Sequence, residues 1–341
     1  MKILALLPKT SSVTQLLSKE ESLGLENFLR NTEHEITFIE SDSEVDNHIE
    51  DADIIISSPF LPAYVTEERI DKAKNLKLAI TAGIGSDHVD LDAAIEKNIT
   101  VAEIPGSNNV SVAEQNVMEV LLLLRNYEEG HRQAVEGEWD LPKVGARAHD
   151  IVGKKVGIFG LGRIGELTAK RLKPFEVELQ YHDPYRKEDL ENEIGIDYVN
   201  FDTLIQTSDV VIVQSPLTKD TKNKFEKNVI SQMKDDAVLV NCARGGIVEK
   251  DALVEAVNKG KIRYGGDVWY PQPAPKDHPW RALKQTGLTV HYSGMTVEAQ
   301  ERIQKGVQEI LTSFMNNNPI NDSYLIVDNH KITNQSYQTQ S

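Results

Sequence analysis

Short apolar runs alternate with amphipathic stretches over the first hundred residues. The β-rich runs are KILALL (2–7), EITFIE (35–40), DIIISS (53–58) and LKLAIT (76–81), and the segments between them have the apolar spacing of helices. Strands buried on both faces of a parallel sheet consist of continuous Val, Ile and Leu. This part of the chain is therefore predicted to form parallel β-α units.

The same alternation restarts at residue 154. Its runs are KKVGIF (154–159), VELQYH (177–182), DVVIVQ (209–214), AVLVN (237–241), IRYGGDV (262–268) and LTVHYS (288–293). A chain of 341 residues has room for about two domains. The pattern predicts an α/β fold with two Rossmann-like, doubly wound parallel sheets.

Two longer helices are predicted outside these units. Ser111 and Glu114 fit a capping box, and the residues up to Leu124 are apolar around most of the helix. We expect this helix to be a buried connector between the domains or part of a subunit contact. A second, amphipathic helix is predicted near 296–316, and it leads to a polar tail that we expect to be frayed.

Charge and cysteine content narrow the functional classes. The net charge is −16, and the sequence has no concentrated basic patch. Both features argue against nucleic acid as a partner. The single cysteine, Cys242, excludes an intrachain disulfide, and no histidine spacing resembles a metal pair, so we expect no metal. No apolar run exceeds five residues, which predicts no membrane partner and a cytoplasmic location.

A glycine-rich turn follows the predicted strand 154–159. Gly160, Gly162 and Gly165 are in G-x-G-x-x-G order and open an amphipathic helix, so a helix N-terminus would face a pyrophosphate. Asp183 follows the next strand, where an acid accepts hydrogen bonds from a ribose and repels a 2′-phosphate. This context favours NAD over NADP and over a turn without a ligand, although Arg186 lies close enough to weaken the preference.

Several polar segments fall at predicted strand ends, where open α/β sheets bind ligands. With the glycine turn, the segments PFLPAY (59–64), AGIGSDHVDL (82–91), SNNVSVAE (107–114), NCARGG (241–246), DVWYPQPAPKDHPWR (267–281) and TVHYSG (289–294) resemble NAD-dependent formate dehydrogenases, members of the D-2-hydroxyacid dehydrogenase superfamily. The resemblance covers nearly the whole chain. Bacterial members carry a longer excursion after the first strand than PKTSSVTQLLSKEE provides here.

Arg244 and His291 are the leading catalytic candidates. A guanidinium holds a carboxylate bidentately and stays charged, and the resemblance gives Arg244 the role of anchoring formate. The superfamily places its catalytic histidine at His291. In hydroxyacid dehydrogenases a Glu orients this histidine and supports its protonated form, whereas this chain has Gln272, which carries no charge. Formate has no hydroxyl proton to lose, so the His–Gln pair favours formate oxidation by direct hydride transfer without general acid-base catalysis.

The resemblance implies the remaining contacts. Asn108 would donate to a formate oxygen, Ile84 would supply an apolar wall and a backbone N–H, and Phe60 with Pro59 would exclude water. For Ile84 and Phe60, ordinary packing in the core is an equal alternative to a direct contact with formate. The implied cofactor contacts, besides the three glycines and Asp183, are Asn109, Arg163, Ile164, Pro216, Leu217, Thr218, Cys242, Asp267, His291, Ser293 and Gly294. Cys242 stands where Thr or Ser is expected, and a partly exposed thiol there would be open to oxidation.

The predicted organisation is a discontinuous substrate domain, residues 1–108 and 293–341, around an NAD-binding domain at 109–292, with the active site in a cleft between them. The resemblance also implies a homodimer joined through the cofactor domains. Two other functions stay open: a D-2-hydroxyacid dehydrogenase or glyoxylate reductase, and a non-enzymatic NAD-sensing protein of the corepressor type.

Overall fold

The computed structural model describes residues 1–7, 21–60, 62–283, 286–334 and 337. Within them the chain divides into two compact units. The first comprises Met1–Asn108 and Gly294–Ser341, and the second comprises Asn109–Ser293. The excursion after the first strand and most of the polar tail, for which we made predictions above, lie outside the described residues.

The described part of the chain contains fourteen strands: β1 Lys2–Leu6, β2 Glu35–Ile39, β3 Ile54–Ser57, β4 Leu78–Thr81, β5 Thr100–Glu103, β6 Lys155–Phe159, β7 Glu178–His182, β8 Asp197–Tyr198, β9 Val210–Val213, β10 Ala237–Asn241, β11 Ile262–Gly266, β12 Thr286–Leu288, β13 Leu325–Asp328 and β14 Lys331–Ile332.

The α-helices of the same residues are α1 Leu25–Leu29, α2 Glu67–Lys72, α3 Leu91–Glu96, α4 Asn109–Leu124, α5 Tyr127–Glu136, α6 Leu141–Gly145, α7 Arg163–Leu172, α8 Glu188–Leu190, α9 Phe201–Thr207, α10 Lys227–Gln232, α11 Lys250–Asn258 and α12 Val297–Met315. Short 3-10 segments join several of them.

The first unit is built on a sheet of order β14-β13-β5-β4-β3-β1-β2. β1 to β5 are parallel, and β13 and β14 are added antiparallel at one edge. Both faces are buried, because alternate residues of one strand enter different cores: Ile55 packs in one cluster, and Ile54 and Ile56 pack in the other. Helix α12 covers the second face with Ile303, Val307, Ile310 and Leu311.

The second unit is a fully parallel sheet of order β12-β11-β10-β9-β6-β7-β8. The order reverses between β6 and β9, which is the switch point where doubly wound sheets bind dinucleotides. Along β9, Val211 and Val213 face one core, and Val210 and Ile212 face the other. The prediction of two doubly wound α/β sheets is confirmed.

Two local predictions are wrong. The strand expected at 288–293 ends at Leu288, and the residues after it form a turn. Helix α4 begins at Asn109, so Ser111 is a buried residue of its first turn and not its N-cap. The helix starts early because the chain turns immediately before it, with Gly106 in the left-handed region at φ 79°. No helix in the part of the chain that the structure describes is long and apolar enough to cross a membrane.

Candidate active site

Strand register aligns the candidate residues of the second unit along one edge of its sheet. Phe159 is paired with His182 and with Val213, and Asn241 is paired with Val213 and with Gly266. The residues that follow these pairs therefore continue the same row: Gly160, Asp183, Gln214, Cys242 and Asp267. This is the carboxyl edge, where ligands of such sheets bind.

The glycine turn has the shape that a pyrophosphate requires. Gly160 has φ 99°, and a Cβ there would lie 2.7 Å from the carbonyl oxygen of Gln214. A Cβ on Gly165 would lie 2.3 Å from the Gly160 oxygen, so this glycine permits the packing of α7 on the turn. A Cβ on Gly162 would meet open space, and Gly162 caps α7 without a side chain. Backbone N–H groups at the start of α7, around Arg163 and Ile164, therefore suit a phosphate.

Asp183 lies beside this turn. Its carboxylate accepts hydrogen bonds from the backbone N–H of Leu161 at 2.9 Å and from that of Tyr185 at 2.9 Å. Arg186 points its guanidinium at another partner: its Nε and Nη2 donate to the two carboxylate oxygens of Glu191 at 2.9 and 2.8 Å. Arg186 is thus paired with Glu191. The carboxylate of Asp183, which favours NAD, is held at the glycine turn.

The loop after β9 carries the residues implied at the adenosine. The Thr221 hydroxyl donates to the Pro216 carbonyl at 2.6 Å and accepts from the Thr218 N–H at 2.8 Å. Leu217 packs beside Gly246, whose Cβ would lie 3.3 Å from a Leu217 methyl. The loop is therefore fixed locally, at the carboxyl end of the strand beside β6.

Arg244 is presented by a tight turn after β10. The Asn241 side chain accepts from the Ala243 N–H at 3.1 Å and donates to the Arg244 carbonyl at 3.0 Å. The Arg244 Nη1 donates to the Ala243 carbonyl at 2.8 Å. Gly245 allows the turn to lie against the backbone of Trp269, since a Cβ there would be 2.4 Å from the Trp269 carbonyl carbon. The half-buried Arg244 thereby follows β10 at the carboxyl edge of the sheet.

The expected pair of His291 and Gln272 is formed. The Nδ1 of His291 lies 2.8 Å from the Oε1 of Gln272. An amide oxygen only accepts, so Nδ1 donates this bond and the ring orientation is defined. His291 is buried and has φ 59°, a left-handed conformation within the turn that follows β12.

The loop that carries Gln272 is held by a second, buried histidine. His278 Nε2 donates to the Tyr270 carbonyl at 3.1 Å, and its Nδ1 accepts from the Trp280 N–H at 3.3 Å. Arg281 then donates to the carbonyl oxygens of Pro275 and Ala274, each at 2.9 Å. These bonds span the PQPAPKDHPWR segment and fix Gln272 from both sides.

Asp267 organises the turn that contains His291. Its fully buried carboxylate accepts from the Thr289 hydroxyl at 2.6 Å, the Tyr292 N–H at 2.9 Å and the Ser293 N–H at 2.8 Å. The Thr289 N–H still donates to the Gly266 carbonyl of β11 at 2.9 Å, and the bonds to Asp267 then draw the residues after it away from the sheet. One oxygen accepts a single bond, so the carboxylate has capacity for another donor.

Cys242 is buried, so its thiol is not the partly exposed group considered above. Burial raises the pKa of the Cys242 thiol well above its usual range, with the nearby charge of Asp267 adding to the effect. The thiolate is the reactive form, and we therefore expect Cys242 to be inert.

A buried acid that the sequence reasoning missed lies behind this edge. Glu119 of α4 is 1% exposed, and its Oε1 accepts from the Gln115 amide at 2.9 Å, while its Oε2 has no hydrogen-bond partner. It faces Gly265 and Gly287, which are register partners on β11 and β12. Burial, reinforced by the charge of Asp267, raises the pKa of Glu119 to about 7.

The first unit gathers the other candidates at the carboxyl edge of its own sheet. A Cβ on Gly294 would lie 2.4 Å from the Asn108 amide nitrogen and 3.1 Å from the Phe60 ring. A Cβ on Gly83, the residue before Ile84, would lie 2.8 Å from Pro59. Asn108 is buried, and its Oδ1 has no hydrogen-bond partner. Phe60, Ile84, Asn108 and Gly294 thus form one local group.

Comparison with known proteins assigns the class. Residues 117–293 match the family model described as D-isomer specific 2-hydroxyacid dehydrogenase, NAD binding domain. The glycine turn, Asp183 and the parallel sheet of the second unit are the features that this class requires. The chain is thus an NAD-binding enzyme of the D-2-hydroxyacid dehydrogenase superfamily.

The relatives define the particular family. The chain is 47% identical over 302 residues to the mitochondrial formate dehydrogenase of Solanum tuberosum, with 86% of this chain and 79% of the relative covered. It is 44% identical over 330 residues to the formate dehydrogenase of Pseudomonas sp. (strain 101), with 94% and 82% covered. The structure of NAD-dependent formate dehydrogenase from Staphylococcus aureus in complex with NAD is 53% identical, with a TM-score of 0.90 over 96% of this chain and 99% of that one. This chain belongs to the NAD-dependent formate dehydrogenase family.

Proposed function

We propose that this chain oxidises formate to carbon dioxide without general acid-base catalysis by a side chain. The observation that carries the proposal is the 2.8 Å hydrogen bond between His291 and an amide, where acid-base chemistry would need a carboxylate. Relatives that are named formate dehydrogenases, at 44–47% identity, support the choice of substrate.

The electron balance of the reaction explains why an amide suffices. Oxidising a hydroxy acid removes a hydride from carbon and a proton from the hydroxyl group, so a base must take that proton. Formate ion loses only the hydride from its C–H bond and leaves as carbon dioxide, with no proton to transfer. Gln272 orients the His291 ring without supplying the negative charge that would stabilise an imidazolium.

Positioning and electrostatics then account for catalysis. In the second unit, Arg244 holds both carboxylate oxygens of formate and stays charged at every working pH. In the first unit, the Asn108 amide donates to formate, while Ile84 and Phe60 form a dry apolar wall. Orientation of this kind lowers a barrier by removing the entropic cost of alignment.

The cofactor site is proposed on the same edge as Arg244. NAD supplies the nicotinamide carbon that accepts the hydride. The glycine turn with Arg163 and Ile164 would hold the pyrophosphate, Asp183 the adenosine ribose, and residues 216–218 the adenosine. The nicotinamide and its ribose would lie among Asn109, Cys242, Asp267, His291, Ser293 and Gly294, with the carboxamide donating to Asp267.

Purified protein separates this proposal from its two rivals. Formate with NAD should raise NADH absorbance, whereas D-lactate and D-glycerate should not, because the Gln272 amide that His291 contacts carries no charge to support proton removal from a hydroxyl group. Faster turnover of a hydroxy acid or of glyoxylate with NADH would favour the hydroxyacid dehydrogenase. Dinucleotide binding with no turnover of any small acid would favour the NAD-sensing protein.

We further propose a homodimer joined through the second unit, which we call the cofactor unit because it carries the proposed NAD site. That unit exposes Tyr127, which lies beside Val117 and Met118 of α4. It also exposes Val135, Trp139 and Leu141 in α5, α6 and the segment between them, and Trp139 is 83% exposed. Large apolar side chains grouped on a surface mark contact sites. The cytoplasmic location expected from the sequence stays a prediction.

A further inference from the structure

A tyrosine near the end of the chain closes a buried hydrogen-bond network under the loop that carries Ile84. The Tyr337 hydroxyl donates to the Oε2 of Glu103 at 2.8 Å and accepts from the backbone N–H of Ser86 at 2.8 Å. More than 230 residues separate Tyr337 from each partner, so the contact depends on the folded first unit.

Glu103 is the centre of this network. It is buried at the end of β5, and its Oε2 also accepts from the Gly85 N–H at 2.8 Å and from the Ser86 hydroxyl at 3.3 Å. The Ser86 hydroxyl lies 2.8 Å from that of Thr81 on β4. A single carboxyl oxygen of Glu103 therefore joins the loop to Tyr337.

The loop itself has little intrinsic rigidity. Ile84 lies between Gly83 and Gly85, which have φ 147° and 104°, conformations that cost glycine little but leave its backbone free to choose others. On one side of Ile84, the Gly83 N–H donates to the Thr81 carbonyl at 2.8 Å and the Gly83 carbonyl accepts from the Ile104 N–H at 2.9 Å. On the other side, the bonds at Gly85 and Ser86 complete the positioning of Ile84. The Tyr337 ring packs against the core of the first unit, which sets the hydroxyl in place.

We propose that Tyr337 is a positioning residue for formate, which acts by holding the 83–86 loop through Glu103 and Ser86. This inference rests on the proposed function, because Ile84 shapes the formate site in it. Tyr337→Phe keeps the ring packing and removes only the bridge. A more mobile loop weakens formate binding, while Arg244 still aligns the bound substrate and the cofactor unit is untouched.

The test compares full-length wild type, Tyr337→Phe and Tyr324→Phe. Tyr324 is a matched control, because it belongs to the same unit and its hydroxyl donates to Glu309 at 2.6 Å, away from the loop. Losing the two hydrogen bonds of the hydroxyl, to Glu103 and from Ser86, should raise the KM for formate about five- to tenfold in Tyr337→Phe. The kcat and the KM for NAD should stay within about a factor of two. Hydrogen exchange in the peptide that contains residues 83–86 should accelerate in this variant alone.

The outcomes are distinct. Unchanged formate KM, or unchanged exchange of the loop, in Tyr337→Phe would overturn the inference while leaving the proposed function intact. Equal losses toward formate and NAD, or the same response in Tyr324→Phe, would show a general structural role and also overturn it. A wild-type chain that forms no NADH from formate would defeat the proposed function and the inference together.

Discussion

Glu119 makes the stability of the cofactor unit depend on pH in a way that one substitution should remove. Its carboxyl is buried against Gly265 and Gly287 with Oε2 unpartnered, and burial raises its pKa from 4.5 to about 7. A raised pKa means that the folded state favours the neutral form. The associated stability is complete below pH 4.5, and it is lost as the pH rises through 7.

The size of the effect follows from the two pKa values. At about 1.4 kcal/mol for each pKa unit, a rise from 4.5 to about 7 corresponds to about 3 kcal/mol between the low-pH and high-pH limits. Glu119→Gln keeps the shape and the acceptor for Gln115 but cannot ionise. Its advantage in unfolding free energy over wild type should therefore grow by about 2 kcal/mol between about pH 5 and pH 8.

Urea unfolding followed by tryptophan fluorescence measures this difference. The three tryptophans, Trp139, Trp269 and Trp280, all belong to the second unit, so the signal reports on the unit that contains Glu119. Glu176→Gln, at an exposed glutamate of the same unit, should follow wild type at every pH. A constant difference between Glu119→Gln and wild type from pH 5 to pH 8 would refute the reasoning.

Three other substitutions test the site and the assembly. Arg244→Lys should lower kcat/KM for formate at least about tenfold, because an ammonium cannot hold both oxygens; an unchanged value would remove Arg244 from the site. Gln272→Glu should lower formate oxidation about tenfold or more and make it pH-dependent, because the new carboxylate favours protonated His291; activity equal to wild type at all pH values would contradict this. The proposed homodimer predicts that Trp139→Ser shifts sedimentation from dimer toward monomer, whereas Tyr185→Ser, at an exposed tyrosine, does not; identical dimers would exclude a contact through Trp139.

Parallel strands were the most predictable part of the fold. Runs such as VVIV at 210–213 are apolar on both faces, so their composition alone identifies them as buried strands. The glycine turn is predictable because its three glycines have the spacing that close approach of the backbone requires. The sequence predicts a strand at 288–293, beyond the end of β12 at Leu288, because LTVHYS has strand-like composition. The bonds from Asp267 to Thr289, Tyr292 and Ser293 override that preference.

Tertiary contacts account for what the sequence could not predict. β13 and β14 are short strands with little local signal, and the folded unit sets the pairing of β13 with β5 and of β14 with β13. Glu119 is one of several polar residues in the sequence of α4, and only its position against two glycines marks it as buried. Tyr337 lies in a polar tail, where no pattern indicates a bond to Glu103.

The central claim is that hydride leaves formate with no side chain exchanging a proton. The direct test is kcat/KM for formate at saturating NAD across about pH 6 to 9, in wild type and in Glu119→Gln, so that the titration of Glu119 is separated from that of the site. We expect a flat profile in the Glu119→Gln background. A tenfold change per pH unit that persists in that background would mean that an acid or base takes part, and it would contradict the account.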